Sequence, residues 1–223
     1  MRLQKYLASC GIASRRAAEK LIDEGLVCIN KHLAKVGDKI DPEKDEVTLK
    51  GKLIRPKHKL VYIALNKPVS YICSCTPSQG ASVLDIVRVE ERVFPVGRLD
   101  KDSEGLVLLT NDGELANKLT HPKFECEKEY EVTSSEELKP EEIKAIREGV
   151  KLEDSITTKP CKISAIGDKK YAMVLREGMN RQIRRMFQAV GKKVINLKRT
   201  RISKLRLGNI KTGSWKYVQK QDI

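Results

Sequence analysis

Short apolar runs of strand length recur from residue 60 onward, and segments with helical periodicity separate them. The runs that predict strands are 61–65, 106–110, 130–133, 171–175 and 194–197, and the helical segments are 113–120, 140–148 and 180–190. Asn66-Lys67-Pro68 ends the first run, because proline has no N–H to donate to a strand ladder. Runs and helices in this order predict an α+β domain over residues 60–223.

The first fifty residues begin with two predicted short helices. Leu3, Tyr6 and Leu7 recur at helical spacing, which gives the first helix an apolar face. Ser14 is a good N-cap for the second helix, and Gly25 stands where a glycine commonly follows a helix end. The basic residues of both helices fall outside these apolar stripes, so each helix presents a basic face.

A small sheet is predicted after the two helices. Residues 26–29 form a candidate strand, Asn30-Lys31 its turn, and residues 47–49 a later partner strand. Residues 50–59 combine charge with glycine and proline, which is typical of a linker. We therefore expect a small, helix-rich first domain over residues 1–59.

The charge of the chain favours a polyanionic partner. Its 223 residues include 44 Lys+Arg against 30 Asp+Glu, a formal net charge of +14. Residues 1–59 hold 14 basic and 8 acidic side chains, and residues 176–223 hold 14 and 2, whereas the middle is net acidic. Solubility explains part of such a charge, but its position at both ends predicts two basic surfaces that contact phosphates.

Six cysteines and three histidines are present, and no Cys-x-x-Cys pair occurs among them. This spacing argues against a zinc site, so we expect reduced cysteines and no bound metal. Neither a signal-peptide pattern nor an apolar run of ~18 residues is found. The chain is therefore expected in the cytoplasm, without a membrane partner.

The stretch from Phe94 to Leu106 places charged residues and two glycines between apolar runs. Loops of this kind carry chemistry more often than cores do. A calcium loop starting at Asp100 is one alternative, but its position 12 is Asn111 instead of a bidentate glutamate, and an apolar run fills its second half. Calcium is thereby rejected. The other alternative, that Asp100 only caps a turn, is left open by the loop alone.

The N-terminal pattern resembles the RNA-binding domain named after ribosomal protein S4. The resemblance runs from Arg2-Leu3-Gln4-Lys5-Tyr6-Leu7 through Ser14-Arg15-Arg16-Ala17-Ala18 to Gly25-Leu26-Val27. Lys31 occupies the turn where the family often has glycine, which affects the turn type and leaves the basic face unchanged. Charge alone would also fit a solvated surface, so it is this motif that favours RNA binding.

The segment Gly97-Arg98-Leu99-Asp100-Lys101-Asp102-Ser103-Glu104-Gly105-Leu106 is similar to the signature of the RsuA-type pseudouridine synthases. The resemblance continues through Leu108–Gly113, Lys128–Val132 and Glu177–Phe187. It implies a catalytic domain with a mixed, mainly antiparallel sheet and no cofactor. Matched by position, the catalytic set is the aspartate Asp100, the base-packing aromatic Tyr130 and the Asp100 ion-pair partner Arg184. Leu197 would be the apolar wall of the substrate pocket.

Side-chain periodicity agrees with these implied roles. In the strand around it, Tyr130 shares a face with Lys128 and Val132 and should point inward, as a plain core tyrosine would also do. The later helix presents a basic face beside its apolar stripe, formed by Arg181, Arg184 and Arg185. One helix face can therefore pack while the other meets RNA or the catalytic aspartate.

The reaction that the resemblance implies detaches uracil from its ribose, rotates it and rejoins it through carbon five. The carboxylate either attacks the sugar or removes a sugar proton, and the sequence leaves both routes open. Both need an ionised Asp100, which a neighbouring guanidinium favours. The target nucleotide must also leave its stack, at a cost of about a few kcal/mol, and Arg98 is a candidate to fill the vacated space.

Phosphate contacts are expected at both basic ends of the chain, where they would position RNA without specifying its sequence. The candidate residues are Arg2, Lys5, Ser14, Arg15, Arg16, Lys20, Arg181, Arg185, Lys198, Arg199 and Arg201. For any one of them, a solvated surface residue is the alternative.

The resemblance implies a monomeric enzyme of ribosome biogenesis that isomerises a uridine in ribosomal RNA. The segments Asn180–Arg185, Lys101-Asp102-Ser103 and Arg199–Ile202 look more like members that act on 23S rRNA, with 16S rRNA and tRNA as alternatives. A non-catalytic ribosome-associated protein is a second hypothesis, which the complete catalytic set argues against. A transcription regulator is a third, and the sequence has no recognisable DNA-reading motif to support it.

Overall fold

The computed structural model describes residues 1–56, 59–75 and 80–223. Contacts within the chain group these residues into two compact units. The first comprises Met1–Val61, Glu90–Arg92 and Asn111–Gly113, and the second comprises Tyr62–Val89, Val93–Thr110 and Glu114–Ile223. Of the linker expected at residues 50–59, Lys57 and His58 lie outside the described residues.

The first unit contains two helices and a four-stranded sheet. Its helices are α1 (Leu3–Ser9) and α2 (Arg15–Asp23). Its strands are β1 (Val27–Ile29), β2 (His32–Leu33), β3 (Val47–Leu49) and β4 (Lys52–Ile54). The strands lie in the order β2-β1-β3-β4, and each neighbouring pair is antiparallel.

Local sequence explains the ends of these elements. The side chain of Ser14 accepts a hydrogen bond from the backbone N–H of Ala17, 3.2 Å away, which confirms the predicted N-cap of α2. Gly25, just beyond the helix, has a φ of +70°. Asn30 and Lys31 also have positive φ values, of 49° and 68°. The turn between β1 and β2 is therefore left-handed even though lysine stands where glycine would be less strained.

The second unit is built on a nine-stranded sheet flanked by helices. Its strands are β5 (Tyr62–Lys67), β6 (Phe94–Val96), β7 (Glu104–Thr110), β8 (Lys128–Ser134), β9 (Lys162–Gly167), β10 (Lys170–Leu175), β11 (Val194–Ile202), β12 (Leu205–Arg206) and β13 (Trp215–Tyr217). Its helices are α3 (Val83–Ile86), α4 (Gly113–Thr120), α5 (Pro140–Glu148) and α6 (Gln182–Ala189), with 3-10 turns at Pro122–Phe124 and Lys220–Asp222.

The sheet runs in the order β13-β5-β7-β11-β8-β10-β9, with β6 paired to β7 and β12 paired to β11. Every pairing is antiparallel except that between β11 and β7. The predicted α+β class and its mainly antiparallel sheet are thus confirmed. The predicted end of the first strand was wrong, because Asn66 and Lys67 pair with β7 and only Pro68 lies outside the ladder.

The order of the central strands positions the candidate catalytic residues. The loop that carries Asp100 leads directly into β7, and β7, β11 and β8 are neighbours in the sheet. Arg199 of β11 lies opposite Tyr130 of β8, and Leu197 lies opposite Val132. Residues that are far apart in sequence are therefore brought together where the start of β7 lies beside the middle of β11.

Candidate active site

A cavity of about 310 Å³ opens where the loop before β7 meets strands β8 and β11 and the segment leading into α6. It brings together several of the predicted site residues: Arg98, Asp100, Tyr130, Arg181, Leu197 and Arg199. Arg184, Arg185, Lys198 and Arg201 are not among the residues that line it.

The Asp100 carboxylate faces this cavity without a hydrogen bond from any of the described residues. Its main-chain oxygen, by contrast, accepts a bond of 3.1 Å from the backbone N–H of Ser103, which closes a turn. Gly97 and Gly105 bound the loop and have φ values of +70° and +104°. A turn is thus present at Asp100, but its side chain does not cap it. The carboxylate is left available to a ligand.

The arginines at the start of α6 contact other carboxylates than the sequence predicted. Arg181 binds both carboxylate oxygens of Asp102, with its nitrogens 3.1 and 3.0 Å away, and its Nη1 lies 3.8 Å from Oδ2 of Asp100. Arg184 Nε lies 3.3 Å from the Asp102 carboxylate, and its other nitrogens donate to the carbonyl oxygens of Asp102 and Val194. The predicted Arg184–Asp100 ion pair was therefore wrong, and the cation beside Asp100 is Arg181.

The cause of this difference is the position of each arginine in the helix. Arg181 is the N-cap residue of α6, in a left-handed conformation, and it contacts the loop from the open end of the helix. Arg184 lies within the first helical turn, where its guanidinium reaches main-chain oxygens of the loop instead of the Asp100 side chain. The hydrogen bond from Arg181, together with the charge of Arg184, lowers the pKa of Asp102 against the opposing effect of burial.

Tyr130 and Leu197 belong to the apolar part of the cavity wall. Both side chains are buried, with 8% and 6% of their surface exposed, and both line the cavity. Tyr130 shares its strand face with the buried Val132, as the alternation in the sequence predicted. The position of the tyrosine ring in the cavity wall distinguishes it from an ordinary core tyrosine.

Two further cations, Lys128 and Arg199, lie beside Tyr130 on the cavity floor. Lys128 Nζ donates to the carbonyl oxygen of Cys126, 3.0 Å away. Burial lowers the pKa of Lys128, the nearby Arg199 charge lowers it further, and Cys126 opposes both effects. The sequence predicts no role for Lys128 beyond its position on the strand that carries Tyr130. Its place two residues before Tyr130, on the same strand face, was the signal.

The expected phosphate contact of Arg199 was wrong. Its side chain is only 2% exposed, and its Nε donates to the carbonyl oxygen of Leu106 at 2.7 Å. Its Nη1 lies 3.5 Å from the carbonyl oxygen of Arg98, and its Nη2 has no hydrogen-bond partner. The alternation of β11 turns this residue inward, so its charge acts inside the protein.

The other predicted RNA contacts occupy more exposed positions. In the second unit, Arg98 is exposed at the cavity, and Lys198 is partly exposed. Arg185 pairs with Asp154 at 2.6 Å, and Arg201 pairs with Glu127 and Glu129. In the first unit the exposed candidates are Arg2, Lys5, Ser14, Arg15, Arg16 and Lys20. Their contacts with RNA remain predictions.

Within residues 1–56, 59–75 and 80–223, no group of three or more His, Cys, Asp or Glu side chains is arranged to hold a metal ion. None of the helices in the described part of the chain combines the length and apolar character needed to cross a membrane.

Two family models match the chain. The model for RNA pseudouridylate synthase matches residues 61–189, and the model for the S4 domain matches residues 1–47. The first of these matches contains Asp100, Tyr130 and Arg184, and the second contains the exposed basic helices of the first unit.

Named relatives and a solved structure agree with these matches. The dual-specificity RNA pseudouridine synthase RluF of Escherichia coli is 41% identical over 225 residues, which cover all of this chain and 77% of the relative. The ribosomal large subunit pseudouridine synthase B of Bacillus subtilis is 38% identical over 231 residues, covering all of this chain and 93% of the relative. A crystal structure of a pseudouridylate synthase superposes with a TM-score of 0.74 at 31% identity, covering all of this chain and 97% of that one.

Proposed function

Because the chain belongs to the RNA pseudouridylate synthase family and carries an N-terminal S4 domain, we propose that it isomerises a uridine of ribosomal RNA with Asp100 as its catalytic carboxylate. Family membership makes the chain an RNA pseudouridine synthase, as the sequence of the Asp100 loop predicted. The identity of the catalytic residue and of the RNA target are the parts that we propose.

The observation that carries the proposal is the cavity in which the Asp100 carboxylate meets Tyr130 and Leu197. A carboxylate with no hydrogen bond from the described residues keeps its oxygens available for the sugar, either to attack it or to take a proton from it. Arg181 Nη1 lies 3.8 Å from this carboxylate and places a positive charge beside it. The buried ring and the leucine provide flat and apolar surfaces for a base.

Both chemical routes are balanced without an external reactant. The bond between uracil N1 and the sugar carbon breaks, and its electron pair leaves with N1. The uracil then rotates, and carbon five forms the new bond to the sugar. In the attack route the carboxylate–sugar bond breaks in this step, and in the other route the carboxylate returns the proton that it took from the sugar. Carbon five then loses its proton, and N1 gains one. Arg98, exposed at the cavity, is suited to occupy the space that the flipped nucleotide leaves in the RNA.

We propose the large-subunit ribosomal RNA as the target. The sequence motifs of the α6 segment favour it, and the name of the Bacillus subtilis relative places that enzyme on the large ribosomal subunit. The Escherichia coli relative is named as dual-specificity, so a test of this chain should offer it more than one class of RNA. A monomeric state and a division into domains at residues 1–59 and 60–223 belong to the same proposal.

The catalytic assignment is tested by incubating wild-type and Asp100→Asn proteins with unmodified 23S rRNA, 16S rRNA and tRNA. We expect the wild type to form pseudouridine at a single 23S position. The rate of the variant should be lower by roughly 10³-fold or more. Asp168→Asn, at an exposed site in the second unit, is the matched control and should retain wild-type activity. Equal product from Asp100→Asn and wild type would contradict the role of Asp100.

The target is tested separately by mapping pseudouridines in cells with and without the gene. Loss of one site from 23S rRNA is the expected result. Loss of a site only from 16S rRNA or only from tRNA would refute the proposed target and leave the catalytic assignment intact.

A further inference from the structure

We propose that Lys128, backed by the buried guanidinium of Arg199, forms an anion subsite on the cavity floor that binds uracil while it is detached from the sugar. This inference rests on the proposed function for the identity of the anion. Lys128 would be a further catalytic residue, because its ammonium group would touch the base at the moment when the base carries negative charge.

The first support is that both side chains have unused donor capacity. An ammonium group has three N–H donors, and Lys128 uses one of them on the carbonyl oxygen of Cys126. Arg199 bonds two carbonyl oxygens, and its Nη2 has no partner among the described residues. Buried donors normally find partners, and Nη2 of Arg199 is an exception among the described residues. The half-buried Lys128 lines the cavity, where a ligand could accept its remaining N–H groups.

The second support is that neither charge is neutralised. No carboxylate of the described residues lies within 4.0 Å of the charged nitrogens of Lys128 or Arg199. The acidic residues of the cavity lining are engaged elsewhere: Asp100 lies beside Arg181, and Glu177 accepts hydrogen bonds from Gln182 and from the backbone of Lys159. A buried guanidinium and a half-buried ammonium group without a counter-charge among the described residues are costly to the fold, and an anionic ligand would offset that cost.

The third support is the position of the pair, which favours a base over a phosphate. Arg199 lies directly opposite Tyr130 in the sheet, and Lys128 is two residues before Tyr130 on the same strand face. Both cations therefore border the ring on which the base would stack. Phosphates, which stay outside the pocket, would instead meet the exposed guanidinium groups of Arg98 and Arg181.

The chemistry of the reaction supplies an anion at this place. When the N1–sugar bond breaks, uracil retains the electron pair, and the negative charge spreads over N1 and the two carbonyl oxygens. A fixed ammonium group stabilises this species more than the neutral uridine of the ground state, and such a difference lowers the barrier. The same ammonium group would bind a carbonyl oxygen of the uracil while the ring rotates and carbon five turns toward the sugar.

A kinetic test compares Lys128→Met, which removes the charge, with Lys128→Arg, which keeps it. Under single-turnover conditions we expect Lys128→Met to lower the rate by about 10²–10³-fold, with RNA affinity and melting temperature near those of the wild type. Lys128→Arg should recover most of the rate. Lys170→Met, on the exposed face of β10, is the control for losing a strand lysine and should behave as wild type.

A binding test needs no turnover and uses barbiturate, a pyrimidine that is an anion at neutral pH, against neutral uracil. Wild type should bind barbiturate about tenfold or more tightly than uracil, and Lys128→Met should lose this preference while Lys128→Arg keeps it. Equal affinity of the wild type for both compounds, or a Lys128→Met rate within about threefold of wild type, would overturn the subsite. If the wild type makes no pseudouridine in rRNA, the proposed target is refuted. The preference for barbiturate over uracil would still show whether Lys128 forms an anion subsite.

Discussion

Replacing Gly105 by alanine should destabilise the second unit, and the structure gives the size of the effect. The φ of Gly105 is +104°, and a Cβ added there would lie 2.4 Å from the carbonyl oxygen and 2.6 Å from the nitrogen of Arg199. Both atoms are backbone of the adjacent strand β11, so they cannot rotate away as a side-chain end would. Backbone strain costs about 1–3 kcal/mol and overpacking about 1–3 kcal/mol, which together make about 2–6 kcal/mol.

For a chain of this size, a loss of that magnitude corresponds to a melting temperature roughly 4–24 °C lower. Differential scanning calorimetry of Gly105→Ala measures it, with Gly113→Ala as the control, because a Cβ at Gly113 meets no atom within 4 Å. The control should stay within about 0.5 kcal/mol of wild type. A Gly105→Ala protein that melts within about 2 °C of wild type would refute the close approach of β7 and β11 at this position.

Three further substitutions test other parts of the structure. Ser14→Ala removes the N-cap bond of α2 and should cost the first unit about 1 kcal/mol, measured by urea denaturation. Asp102→Asn should make the melting temperature depend less on pH in the acidic range. The hydrogen bond from Arg181 lowers the pKa of Asp102 in the folded protein, so the ionised carboxylate stabilises the wild type above the ordinary aspartate pKa. This stability is lost as the pH falls through the lowered pKa of the folded state. The melting temperature of the wild type should therefore fall more steeply than that of the variant below roughly pH 4. Replacing Arg15, Arg16 and Lys20 together by glutamine should weaken rRNA binding and reduce the slope of log affinity against log salt by roughly 2 to 3, and an unchanged slope would exclude these three from phosphate contact.

The elements that the sequence predicted best are those whose burial alternates or is complete. Strand β5 is buried at all six positions and β8 buries every second side chain around Tyr130, and both stood out as apolar or alternating runs. Strand β9 was missed because only Ile163 of its six residues is buried, so no period of two is visible. Strand β13 has three residues at the sheet edge, too few for any periodicity.

In the candidate site, too, the sequence predicted some features correctly and others not. The motif around Asp100 identified the loop, and the alternation of β8 predicted that Tyr130 points inward, where its side chain is buried. The partner of each arginine could not be obtained from the sequence, because Arg181 and Arg184 are only three residues apart and both carry the same charge. Which of them faces the carboxylate depends on where α6 begins, and helix boundaries are the part of a helix that sequence fixes least well.

Three cations, of which Lys67 and Arg199 are buried and Arg184 is half-buried, show why the charge pattern of the sequence does not identify the partners of this loop. Lys67 donates to the carbonyl oxygen of Ser103 at 2.6 Å, Arg184 to that of Asp102 at 2.9 Å, and Arg199 to that of Leu106 at 2.7 Å. The sequence shows which side chains are charged. Because every residue carries a carbonyl acceptor, the sequence cannot show which main-chain oxygen a cation will bind. Because these cations bind main-chain oxygens, the conformation of the loop does not depend on the side chain of Asp100, the proposed catalytic carboxylate. A substitution at Asp100 should therefore abolish the chemistry while leaving the loop folded.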